Sequence, residues 1–318
     1  MKNIVVTALG ELLIDFTENG TSSQGNPILE ANPGGAPCNV LSMLAKLGHK
    51  AAFIGKVGKD MFGDQLEAAI KEVGIDTKGL VKDPVIHTTL AFVHTYPDGD
   101  RDFSFYRNPG ADMNLTEDEV DEDMIRESKI FHFGTLSMTD DQVRKATKKA
   151  IAIAEEAGDI ISFDPNIREP LWSSMDLCRE QILYGLEHCN VLKISDNEIQ
   201  WLTGEQEFDA GVAKIRESYK IPLILVSAGK DGSFAYYGDK RVFVPAFVNE
   251  NTIETTGAGD TFMASVLHYI LENGWKEYSE AELTDMLRFA NAAASIVTTR
   301  RGALRVMPTM EEVEKVLA

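Results

Sequence analysis

Glu254-Thr255-Thr256-Gly257-Ala258-Gly259-Asp260 runs straight into Thr261-Phe262-Met263-Ala264-Ser265-Val266-Leu267. Gly257 and Gly259 flank an alanine, so the backbone here carries almost no side-chain bulk. Beyond Asp260, Phe262, Val266 and Ile270 recur at helical spacing, with Leu267 and Leu271 beside them. The stretch reads as a small-residue loop feeding a helix. Such a junction presents unpaired backbone N–H groups and the positive end of a helix dipole, which together attract an anion. Asp260 at the junction is either a helix cap, a role Asp favours, or a base facing the bound anion. No Gly-x-x-x-x-Gly-Lys-Ser/Thr occurs anywhere in the chain, and no third glycine completes a Gly-x-Gly-x-x-Gly here.

Upstream, apolar runs alternate with helical periodicity. Residues 129–134, 160–163, 191–194 and 222–226 read as strands, and 141–157, 179–187 and 198–202 as helices. Repeated βα units predict an α/β fold: a mainly parallel central sheet with helices on both faces. Ligands of such sheets sit beyond the carboxyl ends of the strands. Polar residues fall there: Asp164-Pro165-Asn166-Ile167-Arg168, Ser195-Asp196-Asn197-Glu198 and Ser227-Ala228-Gly229-Lys230, with Asp260 after them. Each alone serves as a cap or turn; their shared placement raises the functional reading.

The N-terminal part is punctuated differently. Residues 4–9 read as a buried strand ending at Gly10, and Leu12-Leu13-Ile14 as its continuation, followed by Asp15. A carboxylate there is a salt-bridged surface group or a ligand contact. In Asn32-Pro33-Gly34-Gly35-Ala36-Pro37-Cys38-Asn39-Val40, two glycines admit close backbone approach and Asn39 offers donor and acceptor. A plain turn before a helix would use the same glycines. Residues 88–95 and 102–107 carry a hairpin signature. With residues 11–33 they predict a small sheet set apart. The expected organisation is an α/β core of residues 1–10, 35–86 and 109–318, and a β-sheet lid of 11–34 and 87–108.

The 318 residues, 44% hydrophobic, suffice for one large α/β domain with an inserted flap. A net charge of -19 argues against nucleic-acid and anionic-membrane partners, which want basic surface. Three cysteines, Cys38, Cys178 and Cys189, without a Cys-x-x-Cys pair, support neither a disulfide framework nor a thiolate metal site. A reducing cytoplasm is the simplest setting.

Over nearly its whole length the sequence resembles the ribokinase-like (PfkB) family of carbohydrate kinases. The two glycines with Asn39 resemble the family's first signature, and Thr255-Thr256-Gly257-Ala258-Gly259-Asp260 its second and more specific one. Within the family the likeness is to fructokinases. It rests on 34–40, Phe105-Tyr106-Arg107-Asn108-Pro109-Gly110-Ala111-Asp112, 164–168 and Lys193-Ile194-Ser195-Asp196. Glu254 stands where the family usually has Asp, and Ser195 where many members have Asn.

The resemblance implies an ATP-dependent kinase that phosphorylates a primary hydroxyl of fructose, giving fructose 6-phosphate. Asp260 would be the base, the Gly257, Ala258 and Gly259 amides the anion cradle, and Arg168 a phosphate contact. The helix dipole is expected to favour ionised Asp260. Asp15, Gly34, Gly35, Asn39, Phe105 and Arg107 would hold the sugar. Asn166, Lys193, Ser227, Gly229, Gly232 and Asn291 would hold the nucleotide, although Asn291 also fits close helix packing. Glu198 would hold Mg²⁺ through water, and Glu254 with Thr256 a monovalent cation such as K⁺. A homodimer through the lid, with aromatics such as Phe103, is a further expectation. The same scaffold admits 2-keto-3-deoxygluconate or ribose as substrate. A sugar-binding regulator without catalysis is the rival of another class.

Overall fold

A computed structural model describes residues 5–95 and 101–318, with 94–95 and 101–103 as backbone alone. In chain order the strands are β1 (Val6–Leu9), β2 (Leu13–Thr21), β3 (Pro27–Gly34), β4 (Ala51–Gly58), β5 (Ile75–Asp83), β6 (Leu90–Thr95) and β7 (Arg101–Tyr106). They continue with β8 (Ile130–Gly134), β9 (Ile160–Asp164), β10 (Val191–Ser195), β11 (Leu223–Ser227), β12 (Ser233–Tyr237) and β13 (Lys240–Val244). The helices are α1 (Ala36–Lys46), α2 (Met61–Glu72), α3 (Glu122–Arg126), α4 (Asp141–Ala157) and α5 (Met175–His188). The later ones are α6 (Asp196–Thr203), α7 (Phe208–Ser218), α8 (Ala258–Asn273), α9 (Glu280–Val297) and α10 (Met310–Leu317).

The principal sheet has the order β13-β12-β11-β10-β9-β8-β1-β4-β5. Its pairs are parallel from β5 to β11, and β12 and β13 close it as an antiparallel ribbon. Two apolar layers cover it. One joins α1, α2, α8, α9 and α10 to the sheet, and the other α3 to α7. Central strands buried on both faces explain the unbroken apolar runs; in β8, for example, Ile130, Phe131 and Phe133 are inaccessible. The edge strands are harder to read. β5 carries Asp76, Lys78, Lys82 and Asp83, and β13 begins Lys240-Arg241, charges that keep an edge from pairing with another chain.

The chain winds from β1 to β4 and β5, then returns to β8 on the other side of β1. The order therefore reverses between β1 and β8. A crevice opens beyond the carboxyl ends of strands at such a point.

Leu12-Leu13-Ile14 does not continue the first strand. After Gly10 the chain leaves the principal sheet, and β2 joins a second sheet of order β3-β2-β6-β7. Ile14 is fully buried there all the same, which is why the apolar run looks continuous. Register places Asn32 and Ala91 beside Asp15, and Phe105 beside Ala91, so these four share one face. On the opposite face Phe16 stacks on Phe92 at 4.9 Å and meets Phe62 of α2 edge-on at 5.6 Å. Phe103, named for a lid dimer, has its side chain outside the described residues.

Candidate active site

The face of the small sheet carrying Asp15 looks across a cavity of about 600 Å³ at the carboxyl ends of the principal strands. Leu13, Asp15 and Thr17 from β2, Asn32 from β3, Val93 from β6 and Phe105 from β7 line one wall, at the period of two that a strand imposes. Asn166, Arg168, Lys193, Gly257, Gly259 and Asp260 line the other. Glu11 and Leu136, just past β1 and β8, place the cavity at the switch point.

The two glycine-bearing motifs meet there. Asn39 Nδ2 donates to Asp260 Oδ2 at 2.8 Å across 221 residues of sequence. Gly35 caps α1 with φ 126°, and a Cβ on it would collide with the Glu11 carbonyl. Gly34 has no room for a Cβ because Asp15 Oδ2 occupies that space. The first motif therefore works by sterics. It lets α1 begin close to β2, which sets Asn39 against Asp260 and leaves Asp15 facing the cavity.

In the second motif Gly257 caps α8 with φ 76°, a left-handed conformation that favours glycine. Gly257 and Gly259 line the cavity; Ala258 does not, and its N–H closes the turn onto the Thr255 carbonyl at 3.2 Å. The open amides of the first α8 turn are those at and around Gly259. A Cβ at Gly259 would stand 3.1 Å from Lys193 Nζ, so the ammonium lies directly against the loop.

Lys193 is buried and donates to Asp164 Oδ2 at 2.9 Å. Burial works against its charge, but Asp164, Glu198 and Asp260 outweigh it and raise its pKa. Burial raises Asp164 to about 6, against the pull of Lys193. Asp164 Oδ1 is buried with no hydrogen-bond partner among the described residues. Asn166, beside it in the chain, has φ 44°, the one positive φ outside glycine among the described residues. Such strain persists where surroundings over-determine it, commonly at ligand sites.

Asp260 is half-buried and lines the cavity. Desolvation raises its pKa, opposed by the Asn39 hydrogen bond and by the Lys193 and Arg168 charges. The net shift is upward, against the ionised form that the helix dipole was expected to favour, because desolvation outweighs the Asn39, Lys193 and Arg168 contributions. A carboxyl poised upward makes a better proton acceptor. Asp15 is likewise pushed up to about 7, chiefly by desolvation, with Arg168 pulling down and Glu254 and Asp260 pushing up.

Asn39→Ala should therefore move the acid limb of kcat/KM to higher pH. Removing the donor deprives ionised Asp260 of a charge-assisted bond of about 1.5–3 kcal/mol, roughly one to two pH units. Turnover should recover in alkali; a pH profile measured from acid to alkaline conditions decides it, and an unmoved limb contradicts the coupling.

Other expected residues lie elsewhere. Arg107 is buried, with Nε donating to Asp112 Oδ2 at 2.7 Å, Nη1 to Thr139 Oγ1 at 2.9 Å and Nη2 to the Leu136 carbonyl at 2.9 Å. Its fork is spent on pinning the end of β7 to the loop after β8, and it does not line the cavity. Removing one partner of a buried pair costs about 3–5 kcal/mol. Arg107→Ala is expected to lower Tm while leaving the sugar KM of the folded fraction near wild type, measured by melting and steady-state kinetics.

Asn291 is also committed: it accepts from Ser233 Oγ at 2.9 Å and donates to the Val244 and Pro245 carbonyls. That is helix packing against the antiparallel ribbon. Ser227, Gly229 and Gly232 sit at the carboxyl end of β11, outside the lining of this cavity but in the same edge row, where Ser227 pairs with Ser195. Glu198 accepts from the Ile167 N–H and from both N–H and Oγ of Ser195, all at 2.8 Å, so it braces the loop bearing Arg168. Glu254 lines the cavity and accepts from the Gly302 N–H at 2.7 Å.

Sequence reasoning passed over Glu11. It is 4% exposed, accepts from the Ala36 N–H at 2.8 Å and is pushed up to about 7, chiefly by burial. A carboxylate following Gly10 at the end of a buried strand was its signal. Gly302 and Ala303 line the cavity with no local signal at all.

A family model described as pfkB family carbohydrate kinase matches residues 3–310. Fructokinase-1 of Zea mays is 40% identical over 311 residues, covering 97% of this chain and 96% of that relative. Among solved structures, fructokinase with bound ATP from Xylella fastidiosa has a TM-score of 0.90 at 30% identity, covering 100% of this chain and 98% of its own. A double-mutant fructokinase of Vibrio cholerae O395 with fructose, ADP and potassium ion has a TM-score of 0.87 at 27% identity, with 100% of both chains covered.

Proposed function

The chain belongs to the pfkB family of carbohydrate kinases; from that membership we propose that Asp260 is the base in ATP-dependent phosphorylation of fructose, with fructose 6-phosphate as product. It is an enzyme, an ATP-dependent sugar kinase of the fructokinase kind. The observation that carries the residue assignment is the Asn39–Asp260 hydrogen bond inside the cavity, beside a buried ammonium and a glycine-lined helix start.

Asp260 accepts the proton of the primary hydroxyl as that oxygen attacks the terminal phosphorus of ATP and the bond to the β,γ-bridging oxygen breaks, with ADP as leaving group. The open amides at Gly257 and Gly259, with Lys193 and Arg168, stabilise charge on the equatorial oxygens. Phosphoryl transfer asks for little more than positioning and such stabilisation. Asp15, Asn32 and Asn39 offer acceptors and donors to the sugar hydroxyls. The Phe105 side of the small sheet excludes water, which would otherwise compete as acceptor.

Mg²⁺ fits the residues present: Asp164 Oδ1 is an unused buried oxygen, and Glu198 exerts its charge on both Asp164 and Lys193. Bound there, chiefly through water, the ion would neutralise phosphate charge. Glu254 and Thr256 are the proposed holders of a monovalent cation near the anion loop. The adenine and ribose would lie along the Ser195, Ser227 and Gly229 row. A homodimer through the small sheet would cover exposed Ile28, Leu29 and Tyr106. Among the described residues no helix is long and apolar enough to cross a membrane; the cytoplasm is the proposed location.

A coupled assay over fructose, ribose and 2-keto-3-deoxygluconate tests the substrate, with the product's phosphate position read by NMR. Preference for another sugar, or phosphate on another carbon, overturns that part of the reading. Asp15→Asn should raise the fructose KM about 10- to 100-fold, the worth of a hydrogen bond to a charged group, with the ATP KM little changed. Equal rises in both would remove Asp15 from the sugar side.

A further inference from the structure

Away from the cavity, His49, His268 and Glu272 bring three metal-ligating atoms within 4.8 Å of one another. His49 Nε2 lies 2.7 Å from His268 Nδ1 and 3.8 Å from Glu272 Oε1. His49 sits in the turn after α1, fixed by its own N–H to the Leu44 carbonyl at 3.0 Å and by Gly48 at φ 89°. His268 and Glu272 lie one turn apart on α8, on a common face. The His268 ring stacks on Phe289 of α9 at 5.3 Å, which fixes its plane.

We propose that these three side chains form a second metal site, for one Zn²⁺-class divalent ion, clipping the end of α1 to the far end of α8. A lone hydrogen bond between the imidazoles accounts for the 2.7 Å separation but leaves Glu272 beyond hydrogen-bond range. Two imidazoles and one carboxylate are the donor set of three-ligand zinc sites. At a Zn–N distance of about 2.0–2.1 Å with tetrahedral angles, the two nitrogens need only spread by roughly 0.6 Å.

Burial lowers the pKa of both imidazoles, His268 to about 4, and a neutral imidazole offers one nitrogen lone pair to a metal. The ring that donates in the 2.7 Å contact moves its proton to its other nitrogen when the ion binds. Lys129 opposes a cation near His49, and Glu272 counters it. A hollow of about 380 Å³ lined by His268, Glu272 and Phe289 gives entry and room for a water in the fourth position. Imidazole ligation selects against Mg²⁺, so this site would not draw the ion that accompanies ATP. The clip lies at the opposite end of the two helices from Asn39 and Asp260, which join them at the cavity.

Calorimetric titration of the metal-free full chain with Zn²⁺, without nucleotide, tests the proposal. One equivalent per chain is expected, with affinity falling more than about 100-fold in His49→Gln/His268→Gln and about 10-fold in Glu272→Gln. Saturation should raise Tm by a few degrees in wild type and not in the double variant. Unchanged binding in the double variant, or no stoichiometric binding to wild type, overturns the site. Glu272 is exposed, so its variant folds in any case. Co²⁺ in wild type should show a tetrahedral spectrum that Glu272→Gln alters. A spectrum of the free aqueous ion would count against it.

Discussion

Asp260→Asn is expected to lower kcat about a thousandfold to ten-thousandfold while leaving fructose binding nearly intact. The amide cannot accept the hydroxyl proton, and general-base contributions reach this size. Asn at 260 still offers an oxygen to Asn39 Nδ2, which now donates at 2.8 Å, so the helix junction should survive. That separates loss of the base from loss of the fold. Single-turnover kinetics and an independent binding measurement for fructose decide it. Turnover close to wild type would remove the base role and return Asp260 to the plain cap that its position at the start of α8 permits.

The second large effect concerns Lys193. Lys193→Met strips a buried carboxylate of its partner, since Asp164 Oδ1 already lacks one among the described residues and Oδ2 would then lose the ammonium at 2.9 Å. Breaking such a pair costs about 3–5 kcal/mol, roughly a 10 °C drop in Tm for a chain of this size. The loss should deepen with pH. Burial already holds the folded Asp164 at about 6, above its ordinary 3.8. The unfolded carboxyl therefore gives up its proton first, and stability declines as pH rises through that interval.

Without Lys193 the folded pKa climbs further, so the penalty should be smaller at pH 5 than at pH 8. Adding Asp164→Asn should restore much of the stability without restoring activity, because the positive charge against the Gly259 loop stays absent and the carboxylate proposed for Mg²⁺ is lost as well. Thermal melts across pH with kcat of the double variant test both halves. A double variant with recovered activity would show that the ammonium serves only the pair.

How much was readable before folding varies by residue. Asn39 and Asp260 were legible because each sits in a motif whose glycines are demanded by sterics. Arg168 was legible as a residue beyond a strand end of a parallel sheet, and Lys193, in the middle of β10, only through the family resemblance; their opposition to Asp15 was not legible. Arg107, read as a sugar contact, and Asn291, read as a nucleotide contact or a packing residue, are both held by the fold for one reason. Each has the hydrogen-bonding groups a ligand contact needs, and each spends them on its own fold, Arg107 on Asp112 and Asn291 on Ser233. A sequence displays donors and acceptors without showing which are already satisfied.

By itself the sequence determined the βα alternation, the small inserted sheet and the two glycine motifs. Periodicity and backbone conformational demands are local, and they survive without knowledge of neighbours. Only the tertiary structure decided that Glu11 and Gly302 reach the cavity, and that Asn39 bonds Asp260 from 221 residues away. Those outcomes depend on which buried charges find partners and which stay desolvated. That is a property of three-dimensional neighbours, on which pKa and hydrogen-bond satisfaction depend.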